Sequence, residues 1–350
     1  MQLKPLSFIA VFLTFLLVLV GSAFGCTRVT YVGPEDTIIT GRTMDWGSDI
    51  GSNLWVFPRG MERDGAAGPN SVKWSSLYGS VVASAFDAAT VDGMNEKGLV
   101  VNLLYLVESQ YPKPKKGDPR SPISIAAWAQ YVLDRFATVK EAVKALSQEP
   151  FYVVPTMTPD GHTGHAHLAI SDLSGDSAIF EYLEGKLVIH HGKEYQVMTN
   201  SPSFDKQLAL CAYWQEIGGL TMLPGTNRAS DRFVRAAFYI DAIPKTSDIR
   251  TALAGVLGVI RNASVPLGIS TPDKPNISST LWRTLADHKN RRYYFDGVLS
   301  PSLFWVDLDK LDLAEGAPVL HLPLKDVALG GEASGNFETS TPFEFLEAQP

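Results

Sequence analysis

The chain has 350 residues, is 45% hydrophobic and carries a formal charge of −7. That is enough apolar material for one large core or two small ones. The acidic balance argues against a nucleic-acid partner, because phosphate binding needs clustered Lys and Arg and no basic run dominates here.

In chain order, Met1 to Leu6 carries one cation, Lys4, and an apolar run follows from Phe8 to Val20. Small residues come next, with Ala23 and Gly25 at positions −3 and −1 of a cut before Cys26. Charged start, apolar centre and small-residue end make the pattern of an export signal. The run is shorter than the roughly 20 residues that a membrane span needs. We therefore expect residues 1–25 to be removed, residues 26–350 to form one exported domain, and no stable membrane insertion after the cut.

Such a cut leaves Cys26 with a thiol and a free α-amino group. An α-amine titrates near about 7.7–8.0, far below a lysine. It can take a proton from the adjacent thiol, as N-terminal nucleophiles do. The competing reading makes Cys26 a lipid acceptor on a lipid-anchored periplasmic binding protein. The two exclude each other, since acylating the amine removes the base. Bulky Phe24 at −2 and Ala23 at −3 speak against lipidation.

Thr27 to Val32 alternates like a strand, Gly33-Pro34-Glu35-Asp36 signals a turn, and Thr37 to Trp46 is strand-like again. Pairing Val29–Val32 with Thr37–Thr40 brings Arg42, Thr43 and Asp45 near the new chain end. A Gly- and Pro-rich loop covers about 58–72. Strands follow at Ser80–Phe86 and Leu99–Tyr105, with a tight turn between them at Asp92–Gly98. Ile125, Trp128, Ala129, Val132, Leu133 and Phe136 recur at helical spacing, and Thr138-Val139-Lys140-Glu141 reads as a capping box. Strands resume at Phe151–Thr156, His167–Asp172, Ser177–Glu184, Lys186–His190 and Tyr195–Thr199. Helical periodicity returns over 204–215, 230–243 and 247–261. The last ninety residues or so read as strands, Arg292–Phe295 and Ser302–Asp307 among them. Strand blocks separated by helix blocks favour α+β layers with mainly antiparallel sheets.

Candidate chemistry is sparse. Cys211 sits in an apolar helical run and reads as a core thiol, and no zinc-type cysteine spacing occurs. His162, His165 and His167 lie close together but have no acidic partner in sequence, so we expect no metal site. The cluster His288-Lys289-Asn290-Arg291-Arg292 reads as a solvated turn. A serine nucleophile elbow, a P-loop and a dinucleotide fingerprint are absent. Arg42 and Asp45 are better candidates: a guanidinium near a thiol stabilises the thiolate, and a carboxylate near the α-amine orients it. The Asn200 amide could donate to an oxyanion. Arg232 opens a helix. Each of these four, taken alone, also fits an ordinary strand charge, turn residue or helix charge.

Taken together, Cys26-Thr27-Arg28, Gly41-Arg42-Thr43-Met44-Asp45-Trp46, Gly93-Met94-Asn95-Glu96-Lys97-Gly98-Leu99, Thr199-Asn200-Ser201-Pro202, and Leu223-Pro224-Gly225 followed by Arg232-Phe233-Val234-Arg235 occur in that order. The chain resembles the choloylglycine hydrolase family, over nearly all of residues 26–310. The resemblance implies a four-layer αββα sandwich of the N-terminal nucleophile hydrolase type, hydrolysis of a linear acyl amide, and no cofactor. It makes Cys26 the nucleophile, Arg42 the arginine beside the thiol, Asp45 the carboxylate that orients the amine, and Arg232 the arginine that closes the set. Asn200 and the backbone N–H of Tyr105 become the oxyanion hole. Tyr105 stands where bile acid hydrolases carry Asn, as in penicillin V acylases, so Trp46 and Tyr105 are expected to wall the substrate pocket. Penicillin V acylase-like activity is therefore expected first, with conjugated bile acids or acyl homoserine lactones as alternatives. The export signal is of the Gram-negative type, which implies the periplasm. The family also implies a homo-oligomer, a tetramer in its intracellular members. Their contact runs through the segment between Asn200 and Leu223, which is shorter here.

Overall fold

The computed structural model describes residues 25–219, 221–269 and 278–349. The expected export signal, 1–25, lies outside the described residues except for Gly25. Among the described residues, two large sheets and five α-helices make four layers. One sheet has seven strands, in the order Val197–Met198, Thr27–Val32 (β1), Ile38–Trp46 (β2), Ser279–Asp287, Arg292–Gly297, Phe304–Asp307 and Gly331–Glu332. The other has nine and is centred on Ala166–Ser171, Val100–Tyr105, Ala89–Asn95 and Ser80–Ala85. Helices α1 (Ile125–Arg135) and α2 (Val139–Leu146) cover the nine-stranded sheet. Helices α4 (Ala229–Ala242) and α5 (Ile249–Asn262) cover the seven-stranded one, with α3 (Phe204–Ile217) packed on α4. This is the expected α+β four-layer sandwich. No helix among the described residues is long and apolar enough to cross a membrane.

All nine residues of β2 are buried, because helices lie on one side of it and the second sheet on the other. Strand alternation divides its side chains between those two environments. Gly41 turns to α5, where a Cβ would stand 3.0 Å from Val256 Cγ1 and 3.1 Å from Ile260 Cγ2. Arg42 turns inward and reaches the other sheet. So does Arg28 of β1, which donates to the Ile170 carbonyl and to Ser177 Oγ.

The hairpin forms as expected, closed by Gly33 and Thr37 with Glu35 and Asp36 in the left-handed region. Its register is one residue off the expected one: Val29 faces Gly41 and Arg28 faces Arg42. Residues directly opposite in an antiparallel pair share a face, so a one-residue slip moves a side chain to the other side. The observed register therefore puts Arg42 on the same side as Arg28 and Cys26.

Strands absent from the sequence reading include Leu54–Phe57, which pairs with Ser80–Ala85, and Ala89–Asn95, and the loop expected at 58–72 contains Glu62–Asp64, paired with Lys73–Ser75. Ala89–Asn95 pairs with both Ser80–Ala85 and Val100–Tyr105, so the turn shrinks to Asn95–Gly98 and Asp92 is a strand residue. The Asn95 side chain holds that turn, accepting from Lys97 and Leu99 and donating to two carbonyls at the end of α1. Ser279–Asp287 is the long central partner of β2. The strand expected at Tyr195–Thr199 contracts to Val197–Met198. At α2 the expected cap is present in one direction, Thr138 accepting from the Glu141 N–H, while the Glu141 carboxylate accepts from the N–H of Ala137 and not of Thr138.

The 288–292 segment does form a turn, but His288 is buried in it. Its Nδ1 donates to the Gly98 carbonyl at 2.7 Å, and its Nε2 lies 2.8 Å from Thr40 Oγ1. A neutral ring satisfies both contacts, and burial pushes its pKa down to about 4.

Candidate active site

Cys26 lies at the start of β1, 1% exposed, with its sulfur between the two sheets. Its nearest cation is Arg42, whose Nη2 stands 3.6 Å from Sγ. Met44 Sδ and the Asp45 carbonyl are each 3.9 Å away. Arg42 is fixed on every side. It donates to the carbonyls of Thr43, Val91 and Leu103, pairs with Asp92 at 3.3 Å, and rests over the Trp282 ring. Burial works against its charge, but the Cys26 sulfur and Asp92 outweigh that and hold its pKa above the ordinary value. The guanidinium is thus placed to stabilise negative charge on the sulfur.

Asp92 is itself held by Asn102 Nδ2 at 2.7 Å, by Tyr293 Oη and by Thr284 Oγ1. Burial raises its pKa, with Arg42 opposing. Sequence reasoning misses Asp92 as a site residue, since it reads there as part of a turn. The available signal is chemical: a buried arginine requires a carboxylate to balance it.

On the helix side of β1 and β2 stands a second cluster. Arg232 reaches in from α4 and donates to the Cys26 carbonyl at 2.8 Å, Thr27 Oγ1 at 2.6 Å and Asn200 Oδ1 at 3.1 Å. Asp45 accepts from Thr280 Oγ1 at 2.6 Å, and its Oδ2 is 3.6 Å from Arg232 Nη1. That Oδ2 is buried and has no hydrogen-bond partner. Burial pushes the Asp45 carboxyl up to about 6, with Arg232 and Thr280 pulling the other way. Gly25 is pressed against this cluster: a Cβ there would lie 2.9 Å from Arg232 Nη2 and 3.3 Å from Asp45 Oδ2.

Asn200 follows Val197–Met198 and joins the two clusters. Its Oδ1 accepts from the Cys26 backbone nitrogen, and its Nδ2 donates to the Tyr105 carbonyl at 2.7 Å. Gln207 of α3 donates to the Asn200 and Pro202 carbonyls and holds this turn. Leu106 donates its N–H to His165, so ladder alternation turns the Tyr105 N–H away from the Ala166–Ser171 strand.

Of the sequence-predicted residues, Cys26, Arg42, Trp46 and Tyr105 line one cavity of about 660 Å³, open mouth included, while Asp45, Asn200 and Arg232 gather around the Cys26 backbone outside its lining. Its lining is almost entirely apolar. Trp46 and Tyr105 meet edge to face with centroids 5.8 Å apart. Trp46 Nε1 is held by Asp160 at 2.7 Å. The three histidines separate. His167 is buried in the core between Glu181 and the Thr199 carbonyl, contrary to its expected lack of an acidic partner. His165 lines the cavity and its Nδ1 meets the Ser109 carbonyl, and His162 packs on Trp46. Among the described residues no group of His, Cys, Asp and Glu is placed to hold a metal ion. Cys26 and Cys211 are both free and buried.

A model of the linear amide C–N hydrolases of the choloylglycine hydrolase family matches residues 26–321. The chain belongs to that family. It is a hydrolase of linear amide C–N bonds. Penicillin V acylase of Pectobacterium atrosepticum is 53% identical over 93% of each chain. The structure of penicillin V acylase from Agrobacterium tumefaciens superposes with a TM-score of 0.85 at 57% identity, over 92% of this chain and 100% of that one. A variant of conjugated bile acid hydrolase from Clostridium perfringens shares the fold, with a TM-score of 0.75 at 23% identity over 87% and 98%.

Proposed function

We propose that this amide hydrolase is exported, is cut between Gly25 and Cys26, and uses Cys26 as an N-terminal nucleophile on acyl amides of the penicillin V type. The observation that carries the reading is the buried Asp45 Oδ2 beside Gly25, which faces Arg232 at 3.6 Å but accepts no hydrogen bond. A cut there replaces a peptide bond by an α-ammonium beside Asn200 Oδ1, with a buried carboxylate oxygen close by that accepts no other hydrogen bond. The export pattern of residues 1–25 supplies the route to that cut and to the periplasm.

In the mechanism the Cys26 amine takes the Sγ proton and the thiolate attacks the amide carbonyl. Arg42 stabilises the thiolate. The carbonyl electron pair moves onto oxygen, where the Tyr105 N–H and an Asn200 N–H stabilise it. Collapse breaks the C–N bond while the ammonium hands its proton to the leaving nitrogen. Water then attacks the thioester, releasing the acid and restoring the thiol. Asp45 orients the amine, and Arg232 keeps Asn200 Oδ1 and the Cys26 carbonyl in place. The apolar cavity with Trp46 and Tyr105 on its wall suits a phenoxyacetyl or fatty acyl group.

The test is intact mass with hydrolysis of penicillin V, an acyl homoserine lactone and glycocholate, using Cys26→Ser as the blank. Expected are a mature chain beginning at Cys26 without lipid, and penicillin V turnover above glycocholate, abolished in the mutant. A retained or acylated terminus would overturn the mechanism. Preference for glycocholate would overturn the pocket assignment.

A further inference from the structure

The family model ends at residue 321, yet the cavity wall does not: Leu346, far beyond it, lines the cavity beside Ala85, Phe86 and Ala89 and the first residues of α1, Ile125 and Ala126. We propose that the C-terminal segment 343–349 is a fixed strap whose Leu346 limits the acyl chain that the cavity accepts. This rests on the cavity being the acyl site, as argued above.

The segment is anchored along its length. Phe343 packs edge-on to Trp55 and Phe57 with centroids 5.3 and 5.5 Å away, and Phe345 packs on Phe343 at 5.5 Å. The Arg63 guanidinium lies 5.9 Å from the Phe345 centroid. The Leu346 backbone is held at both ends. Its N–H donates to the Ala88 carbonyl at 2.8 Å, and its carbonyl accepts from Ser124 Oγ at 2.7 Å. Ser124 is the N-cap of α1, so the strap ties the 85–89 turn to the start of that helix. Beyond it, Glu347 accepts from Thr156 Oγ1, while Ala348 and Gln349 donate to the carbonyls of Ala66 and Pro155. Thr156 lines the same cavity. A side chain whose main chain is pinned this way is a wall of set position, and its volume subtracts directly from the space open to substrate.

The experiment uses the mature enzyme and two point variants that leave every backbone anchor in place. Leu346→Ala enlarges the cavity and Leu346→Trp narrows it. The readout is the ratio of kcat/KM for dodecanoyl over butanoyl homoserine lactone. One methylene in an apolar pocket discriminates by about tenfold or more, so Leu346→Ala should raise the ratio by about tenfold and Leu346→Trp should lower it by as much. The same order should appear in the Kd of dodecanoate and butanoate by calorimetry, which requires no turnover. Ratios unchanged in both variants, with Tm close to wild type, would overturn the assignment of Leu346. A wild-type enzyme inert to every acyl amide but still binding the acids with a Leu346-dependent ratio would sink the catalytic reading alone.

Discussion

Arg42 is a buried charge whose two close neighbours, the Cys26 sulfur and the Asp92 carboxylate, come from opposite sheets. Removing one partner of such a pair leaves the other uncompensated, which costs about 3–5 kcal/mol. Asp92→Asn should therefore lower unfolding free energy by that order in urea titrations and lower turnover as well. Normal stability in that variant would deny Asp92 its role as counter-ion. At Asn200, in the oxyanion role proposed above, the loss is kinetic. Losing one oxyanion donor costs roughly 2.7–4 kcal/mol of barrier, about two to three decades in kcat, so Asn200→Ala should fall by that factor, and near-normal turnover would remove it from the site. Asp45 gives a pH prediction. Its carboxyl is pushed up to about 6 with Gly25 still attached. An ammonium in Gly25's place favours the carboxylate and pulls that value down. The acid limb of kcat/KM in the cut enzyme should thus lie below pH 6, and Asp45→Asn should lose it. Arg42, Asp45, Asn200 and Arg232 were legible as candidates because they flank recognisable strand ends and a helix start. Asp92, Thr280 and Tyr293 were not, since nothing local marks a side chain whose partner is distant in sequence.

At the scale of elements, β2 concentrates the constraints. Gly41 is there because α5 crosses directly over it, not because of any turn. Gly41→Val would force Val256 and Ile260 apart, and overpacking of this kind costs about 1–3 kcal/mol. Thermal or chemical denaturation should show that loss, and an unchanged midpoint would mean that α5 shifts freely. The helices were legible from their periodicity because α1, α2, α4 and α5 each lay one apolar face on a sheet and α3 lays one on α4. The strand Ala89–Asn95 was not legible because it is sandwiched, and burial on both faces erases the alternation that marks a strand. The hairpin register escaped by one residue for a related reason. With both faces of β1 and β2 buried, the sequence pattern does not say which side faces which layer.

The whole molecule is a sandwich held shut by polar contacts across its middle as well as by its core. Arg28 reaches from one sheet to the other, and His288 joins the turn of one sheet to the Gly98 turn of the other. In the folded chain the His288 pKa is about 4, against an ordinary histidine value of 6.5. Its depressed value means that the unfolded chain binds the extra proton first. Stability is complete above pH 6.5 and is lost as pH falls from 6.5 to 4, by about 1.4 kcal/mol per unit. Asp45 slopes the opposite way, so the measurement is the difference between wild type and His288→Asn. The variant should lack the acid loss across that window, and parallel slopes would show that His288 is charged when folded.

By itself the sequence determined the layers, the helices, the family and the set of polar residues to watch. These depend on patterns within a few residues: periodicity, turn chemistry and short ordered motifs. Only the tertiary structure decided which side of β2 holds the thiol and which holds the Asp45–Arg232 pair, that Asp92 balances Arg42, and that Leu346 lines the same cavity as Cys26. Those facts depend on contacts between segments separated by 50 residues, as in Arg42 and Asp92, to 206, as in Arg232 and Cys26, and burial on both faces leaves no local trace of them.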